Sequence, residues 1–340
     1  MSPAEPLRVG LLGASRIAVE SLVGPAADGE LRLVAVAARD RDRAGEFAAR
    51  HGIERVVGSY PDLLADPEVE VVYNALPNSL HGPWNLAAIQ AGKHVLTEKP
   101  FAGNAVEARS VAAAASGSGL VVFDAFHYRY HPIFARFLEV ITGGEIGPLR
   151  SLRVTMLMPP PPADDLRWSL PLAGGAMMDL GCYALHVVST VAEALGGRPR
   201  LLAAQMGERA GRPGVDEWFM GELALPQGAR ARCHVDMNQQ DGEFSLTAQG
   251  EEGAVVVKNF VKVNTDDRLI LRAKDGTERV EHLGTRSTYH YQAEALTAAV
   301  RHGAPFPTDA ADGVVNLELI DQCYGLAGFQ PRPTQPRGVR

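Results

Sequence analysis

The sequence predicts an α/β protein joined to an α+β half. The first part reads as a Rossmann-type doubly wound parallel sheet, and the second as a domain built on an open, mostly antiparallel sheet. Three observations carry this. Up to residue 124, short apolar runs alternate with helix-favouring stretches of roughly ten residues, the rhythm of βαβ units. A glycine turn, Gly13-Ala14-Ser15-Arg16-Ile17-Ala18, joins the first run to a helix. After residue 200 the runs alternate in strand fashion and are separated by short Gly/Asp/Glu turns, as in antiparallel sheet. At 340 residues the chain exceeds a single core, so two domains are expected, over 1–124 and 125–340.

The elements follow in order. Leu7–Leu12 reads as a buried strand and Leu31–Ala38 as a second, followed by helix-favouring Asp40–Arg50. Arg55–Val57, Val69–Ala75, His94–Thr97 and Leu120–Phe123 continue as strands, which makes six. The helices between them are Leu80–Ala91 and Asn104–Ala115. Past residue 124 a helix over Ile133–Thr142 precedes a strand over Leu149–Met158. Pro159-Pro160-Pro161-Pro162 then makes a stiff extended loop without amide donors. Trp218–Leu225, Ala229–Met237, Phe244–Gln249 and Leu269–Arg272 have the alternation of strands. Tyr289–Arg301 and Asp312–Ala327 read as closing helices.

Composition excludes several classes. A net charge of −7 with no Lys/Arg-rich run argues against a nucleic-acid partner. The three cysteines, Cys182, Cys233 and Cys323, form no CxxC pair and fit a reducing compartment. No basic n-region or apolar h-region opens the chain, and no run of 18 apolar residues follows, so a soluble cytoplasmic protein without a membrane partner is expected. The ten histidines show no HxH or HExxH spacing, and no metal site is expected.

The glycine turn supplies the first glycine and the last small residue of G-x-G-x-x-G/A, with Ser15 in place of the middle glycine. Such a turn aims backbone amides at a dinucleotide pyrophosphate, and the serine Cβ limits how closely the two approach. A plain tight turn in an α/β protein would read the same way. At the end of the second strand stands Ala37-Ala38-Arg39-Asp40-Arg41-Asp42-Arg43. Arg39 and Arg43 lie one helical turn apart and can fork around a 2′-phosphate, which favours NADP and leaves NAD possible. Asp40 could equally cap the following helix. The loop Leu76-Pro77-Asn78-Ser79-Leu80-His81 sits at the carboxyl end of a strand, the edge that faces the ligand crevice.

Next comes Ala91-Gly92-Lys93-His94-Val95-Leu96-Thr97-Glu98-Lys99-Pro100. With the P-N-x-x-H loop before it, this stretch resembles the glucose-fructose oxidoreductase / inositol dehydrogenase / rhizopine-catabolism (Gfo/Idh/MocA) family over nearly the whole chain. Phe123-Asp124-Ala125-Phe126-His127-Tyr128-Arg129-Tyr130-His131-Pro132 is similar to the "EAFxxRxHP" segment of its dimeric dihydrodiol and NADP-dependent D-xylose dehydrogenases, with Asp124 for Glu and His127 for Met. The resemblance implies cofactor contacts at Gly10, Gly13, Ala14, Ser15, Arg16, Ile17, Arg39, Arg43, Leu76, Pro77, Asn78, His81, Glu98 and Lys99. It also implies a homodimer or homotetramer through the open C-terminal sheet, and a sugar, polyol or diol substrate.

A second constellation lies on a predicted helix, Gly174 to His186, where Asp179, Tyr183 and His186 share one face. Gly181 inside it costs about 1 kcal/mol relative to alanine and signals close packing or ligand approach. A helix edge with ordinary polar packing would carry the same residues. The resemblance matches this stretch to the family's "GGGalmDlGcYxxH" motif, in which the residue four after the aspartate is the acid/base, here Tyr183. Tyrosine has an unperturbed pKa of about 10, and a nearby ammonium favours its phenolate. Tyr183 is therefore the expected proton acceptor, Lys99 its electrostatic partner, and Asp179 a positioning carboxylate; Lys99 acting as base is the other assignment. Arg129, Trp168 and His186 complete the expected substrate pocket with Lys99, Asp179 and Tyr183. The family also includes regulators that bind nucleotide without turnover and redox-neutral glycosidases using NAD, and both stay open at this point.

Overall fold

The computed structural model describes residues 5–334 and divides the chain into two compact units. Among the described residues, the first comprises 5–127, 289–314 and 334, the second 128–288 and 315–333. The boundary thus falls at 127/128, and the segment 289–314 returns to the first unit, whereas the sequence places everything after 124 in the second.

In the first unit five strands form one wholly parallel sheet: β1 (Leu7–Leu12), β2 (Leu31–Ala37), β3 (Val71–Asn74), β4 (His94–Thr97) and β5 (Val122–Asp124). The order is β2-β1-β3-β4-β5. The sixth strand expected at Arg55–Val57 shrinks to one parallel bridge, Val36 to Val56, on the free edge of β2. Only Val56 pairs there, but the place of the segment is informative. Counted as a strand, the segment restores the order 3-2-1-4-5-6 of dinucleotide-binding sheets, whose ligand crevice opens at the carboxyl end of the first strand.

Local sequence explains the helix ends. Asn104 caps Ala105–Ala115, accepting from Val106 N and Glu107 N at 3.0 and 3.1 Å. Gly52, at φ +69°, ends Arg41–His51 in the left-handed conformation. The glycine turn is followed by a π-turn, Val19–Val23, and then the short helix Gly24–Ala27.

The return of the segment after Tyr289 has a visible cause. Arg301, on the helix Thr288–His302, grips the Glu70 carboxylate bidentately with two bonds of 2.9 Å and donates to Glu5 O and Pro6 O. Phe306 stacks on Phe123 at 4.9 Å, and Asp124 N donates to Thr308 O at 2.9 Å.

The second unit holds eight strands in one sheet. They are β6 (Leu149–Leu157), β7 (Arg200–Glu208), β8 (Asp216–Ala224), β9 (Arg230–Asp236), β10 (Glu243–Gly250), β11 (Gly253–Val257), β12 (Arg268–Ala273) and β13 (Glu278–His282). The order is β13-β12-β11-β10-β6-β9-β8-β7, antiparallel throughout except for the parallel pair β6–β9. The helix Pro132–Thr142 buries Ile133, Phe134, Phe137, Val140 and Ile141, a stripe at helical spacing. The stretch Leu170–Ala194 is long and apolar enough to cross a membrane by length and composition, yet 94% of its most apolar window is buried in the fold.

Glu70 carries a pH signature. The Arg301 hydrogen bond holds its carboxyl at about 2, below the ordinary 4.5. A lowered acid pKa contributes stability above the ordinary value and loses it as pH falls toward the folded one. Unfolding free energy should therefore drop by about 2 kcal/mol between pH 5 and pH 2 through this pair. Denaturant titrations of wild type and Glu70→Gln across that range check it, since the variant should lack that component.

Candidate active site

The glycine turn leaves β1 at its carboxyl end. Gly13 sits at φ +92°, and a Cβ there would meet Leu76 Cδ2 at 3.3 Å. Its N–H donates to Ala37 O at 2.8 Å, which ties the turn to the end of β2. Ser15 Oγ accepts from Ala18 N at 3.3 Å, so the hydroxyl closes the turn on itself. Ala14 is buried, Ile17 half-buried and Arg16 exposed. Gly10 lies within β1, where a Cβ would come within 2.9 Å of Leu63 and Val69. Close packing inside the sheet accounts for that glycine.

After β2, Asp40 is the N-cap of Arg41–His51 and accepts from Arg43 N at 3.0 Å. Arg43 reaches back across the turn, its Nη2 donating to Ala14 O at 2.8 Å. Arg39 is exposed beside it. Burial pushes the Tyr60 phenol up while both arginines pull it down, which places the two guanidiniums in one neighbourhood. The cradle suits an anion: a turn at a helix start that opens on a left-handed glycine, with Arg39 and Arg43 beside it.

The third wall is a hydrogen-bonded knot around β3 and β4. His81 contacts Pro100 O through Nδ1 and Leu76 O through Nε2, both at 2.7 Å. Burial holds its pKa down to about 4 against these two carbonyls. Asn74 donates to His81 O and Asn85 Oδ1, and Asn85 donates to Phe101 O. The loop Leu76-Pro77-Asn78 and the turn Lys99-Pro100-Phe101 are thus pinned to one helix start. Glu98 is buried, its Oε1 accepting from Tyr73 at 2.7 Å and Ser21 at 3.3 Å. Burial pushes the Glu98 carboxyl up. Lys99 follows it and is half-buried. Asp124, paired with Thr97 across β4 and β5, is buried, and neither carboxyl oxygen has a hydrogen-bond partner among the described residues. Burial first, then Asp312 and Glu98, push it well above the usual carboxylate range.

In the second unit the helix carrying Asp179 begins as a π-turn, Met177–Gly181, and continues as an α-helix, Cys182–Ala194. Gly174 and Gly175 precede it instead of opening it. A Cβ on Gly174 would strike Arg167 O at 2.4 Å. On Gly181 it would meet Met177 Sδ at 2.5 Å, so this glycine serves packing within the helix. Tyr183 is 5% exposed, with Tyr128 at 6.0 Å and Phe260 at 6.5 Å between ring centroids. Tyr128 OH and His186 Nδ1 share a 2.5 Å hydrogen bond.

Asp179 Oδ2 accepts from Arg167 Nε at 2.8 Å, and Arg167 Nη1 also reaches Asp165. Trp168, expected in the pocket, is buried to 1%, with its indole N–H on Pro161 O and Arg209 over its ring at 3.9 Å. It anchors the proline loop, and its neighbour Arg167 is the residue that reaches Asp179. Arg129 lies over the Phe134 ring at 5.5 Å.

The first unit thus gathers Gly13 to Ile17, Arg39, Arg43, Leu76 to Asn78, His81, Glu98 and Lys99 at the carboxyl ends of its strands. The second gathers Asp179, Tyr183 and His186 on one helix. Sequence reasoning missed Asn85, Tyr128 and Arg167. Tyr128 and Arg167 each adjoin a residue that was singled out, and Asn85 gave no signal beyond being polar inside an apolar helix.

Comparison with known proteins bears on this arrangement. Residues 7–126 match the family described as "Oxidoreductase family, NAD-binding Rossmann fold", and residues 134–256 match the "GFO/IDH/MocA C-terminal domain". D-xylose 1-dehydrogenase (NADP(+)) 2 of Haloferax volcanii is 33% identical over 320 residues, 94% of this chain and 96% of that one. Trans-1,2-dihydrobenzene-1,2-diol dehydrogenase of Mus musculus is 36% identical over 251 residues, 72% and 73% of the two chains. The solved structure of a 3-ketoreductase from Actinomadura kijaniata with NADP and TDP-benzene is similar at TM-score 0.87 and 27% identity, covering 94% of this chain and 98% of that one.

Proposed function

This chain belongs to the Gfo/Idh/MocA oxidoreductase family, and we propose that within it Tyr183 is the proton acceptor for oxidation of a carbohydrate-like alcohol, with Lys99 as its electrostatic partner. The chain is an NAD(P)-dependent oxidoreductase acting on CH–OH groups of sugars, polyols or related diols. The observation that carries the residue assignment is the second unit's helix, where Tyr183 is held within an aromatic cage one turn after the ion-paired Asp179.

NAD(P), when bound, would supply the hydride acceptor, and everything else falls to side chains. Tyr183 takes the hydroxyl proton in oxidation and returns it in reduction. The Lys99 ammonium favours the phenolate form and the developing alkoxide oxygen. Asp179 orients a neighbouring substrate hydroxyl. Arg39 and Arg43 favour NADP over NAD, since the acid beside them is occupied in capping a helix. Ser15 and the turn around Gly13 would hold the pyrophosphate, and Leu76 to Asn78, His81 and Glu98 would bound the nicotinamide side. Arg129 and His186 remain pocket residues in this reading.

We also place a second copy of the chain on the open face of the eight-stranded sheet, as a homodimer or homotetramer. Arg153, Thr155, Met220, Arg232, His234 and Thr247 line that face, and Met220 is 47% exposed on it. Edge-rich open sheets of this kind need cover. The three cysteines are unbridged and buried, which supports a cytoplasmic setting.

Three experiments decide these points. Tyr183→Phe should lose about 10²–10⁴-fold in kcat with nucleotide binding retained, and near-normal turnover on the same alcohols would overturn the assignment. Arg39→Ala with Arg43→Ala should raise KM for NADP by about tenfold or more and leave KM for NAD little changed, as expected for lost charge-assisted hydrogen bonds. A panel of aldoses, inositols and diols read at nicotinamide absorbance supplies the substrates for both. Light scattering after size exclusion should give a dimer or tetramer that Met220→Arg dissociates, and a monomeric wild type would sink the interface.

A further inference from the structure

Arg167 is fixed on every side before any substrate arrives. Asp165 caps its turn, accepting from Arg167 N at 2.9 Å, and also receives its Nη1. The next residue, Trp168, is anchored by its indole on Pro161 O. Arg167 O accepts from Gly175 N at 2.8 Å, and Gly174 lacks the Cβ that would push this carbonyl away. The guanidinium that results points Nε at Asp179 Oδ2, 2.8 Å away, in a half-buried pair. Asp179 stands one turn before Tyr183. An unpaired carboxylate there would oppose a phenolate on the same helix face.

We propose that Arg167 is a positioning residue for the proton step: by pairing Asp179 it removes the negative charge that would otherwise raise the pKa of Tyr183. The inference rests on Tyr183 being the proton acceptor. Arg167 suits the task because a guanidinium stays charged at any working pH, and the Asp179 charge, outweighing burial, holds the Arg167 guanidinium still more firmly protonated. Asp165 takes the other side of the fork, so the cation cannot swing away from Asp179 without breaking a second contact. The charged and titratable groups that the second unit sets about this helix face include Asp179, Arg167, Asp165, Tyr128, His186 and the Cys182 thiol, which bonds Asp179 O. Tyr128 and His186 face each other through a hydrogen bond, and the carboxylates converge on Arg167.

The experiment is the pH profile of kcat for alcohol oxidation with NADP, measured for wild type, Tyr183→Phe, Arg167→Gln, Arg167→Lys and Arg167→Gln/Asp179→Asn. Arg167→Gln should move the rising limb up by about one pH unit, slowing turnover about tenfold below it and converging with wild type above it. Arg167→Lys, which keeps the charge and loses the fork, should move the limb less in the same direction. The double variant should return the limb toward wild type, because the uncompensated charge is gone. An unmoved limb in Arg167→Gln, whatever the rate, overturns the inference, and Arg167→Lys decides in the same way if the glutamine variant does not fold. A limb that persists in Tyr183→Phe overturns the assignment of Tyr183 itself. The two failures are therefore read from different variants.

Discussion

One buried carboxylate organises the second unit. Asp216 opens β8 with no exposure to solvent and receives Met177 N at 2.5 Å, Tyr324 OH at 3.0 Å and the Arg332 guanidinium. Arg332 is itself 2% exposed, lies over the Tyr324 ring at 4.4 Å and donates to Gly214 O. Four segments far apart in sequence thus meet at one charge: a strand start, a helix start, the final helix and the stretch after it. Burial pushes the Asp216 carboxyl up and Arg332 opposes it. Such a pair returns little net stability, and removing one partner costs about 3–5 kcal/mol because a bare charge stays behind. Its value lies in register. The Met177 amide it holds begins the π-turn that sets the azimuth of Asp179 and, through it, of Tyr183.

The same cluster explains what the sequence could not yield. The double glycine before the helix is visible as a motif, but its cause is not. Gly175 sits at φ +125°, and a Cβ on it would strike Asp216 and Arg332, which lie 41 and 157 residues further along the chain. Local pattern carries no record of such a meeting. The π-turn escaped for a related reason, since its composition is that of an α-helix and only tertiary packing selects the extra residue per turn. By contrast, βαβ rhythm is local, and β1 to β5 stand where periodicity placed them, to within two residues at each end. The exception, Arg55–Val57, is a strand by composition and a single bridge in fact, because nothing extends its pairing beyond Val56. The closing helices were legible as helices. Their return to the first unit depends on Arg301 finding Glu70, 231 residues away, which no spacing rule foresees.

The candidate site divides in the same way. Gly13 announces itself by its place in the turn after β1, and Lys99 and Tyr183 by motifs whose meaning comes from the family resemblance. Arg39 and Arg43 follow from their place after β2, and the structure adds that Asp40, the acid competing with them, is occupied by the backbone. The residues that hold these groups in place were silent. Asn85 and Asn74 satisfy carbonyls and amides of a loop that must turn sharply away from two strand ends. Arg167 was hidden beside Trp168, whose size attracts attention but whose ring is buried as an anchor.

These supports bear on which group should move the proton. Lys99 opens a turn whose carbonyls, at Pro100 and Phe101, are pinned by His81 and Asn85, and the buried carboxyls of Glu98 and Asp124 lie within its electrostatic reach. Each of those carboxyls, pushed toward its neutral form by burial, gains from an ammonium nearby and would lose that gain if the ammonium shed its proton. The first unit is thus built to keep a positive charge at the end of β4. A base needs the opposite, a group whose charged form is stabilised only as the reaction calls for it. Tyr183, the proposed acceptor, suits that need: Asp179, one turn before it, is paired with Arg167, and its ring lies beside those of Tyr128 and Phe260. In the proposed reading, a permanent cation at Lys99 and a proton-accepting phenol at Tyr183 are complementary functions.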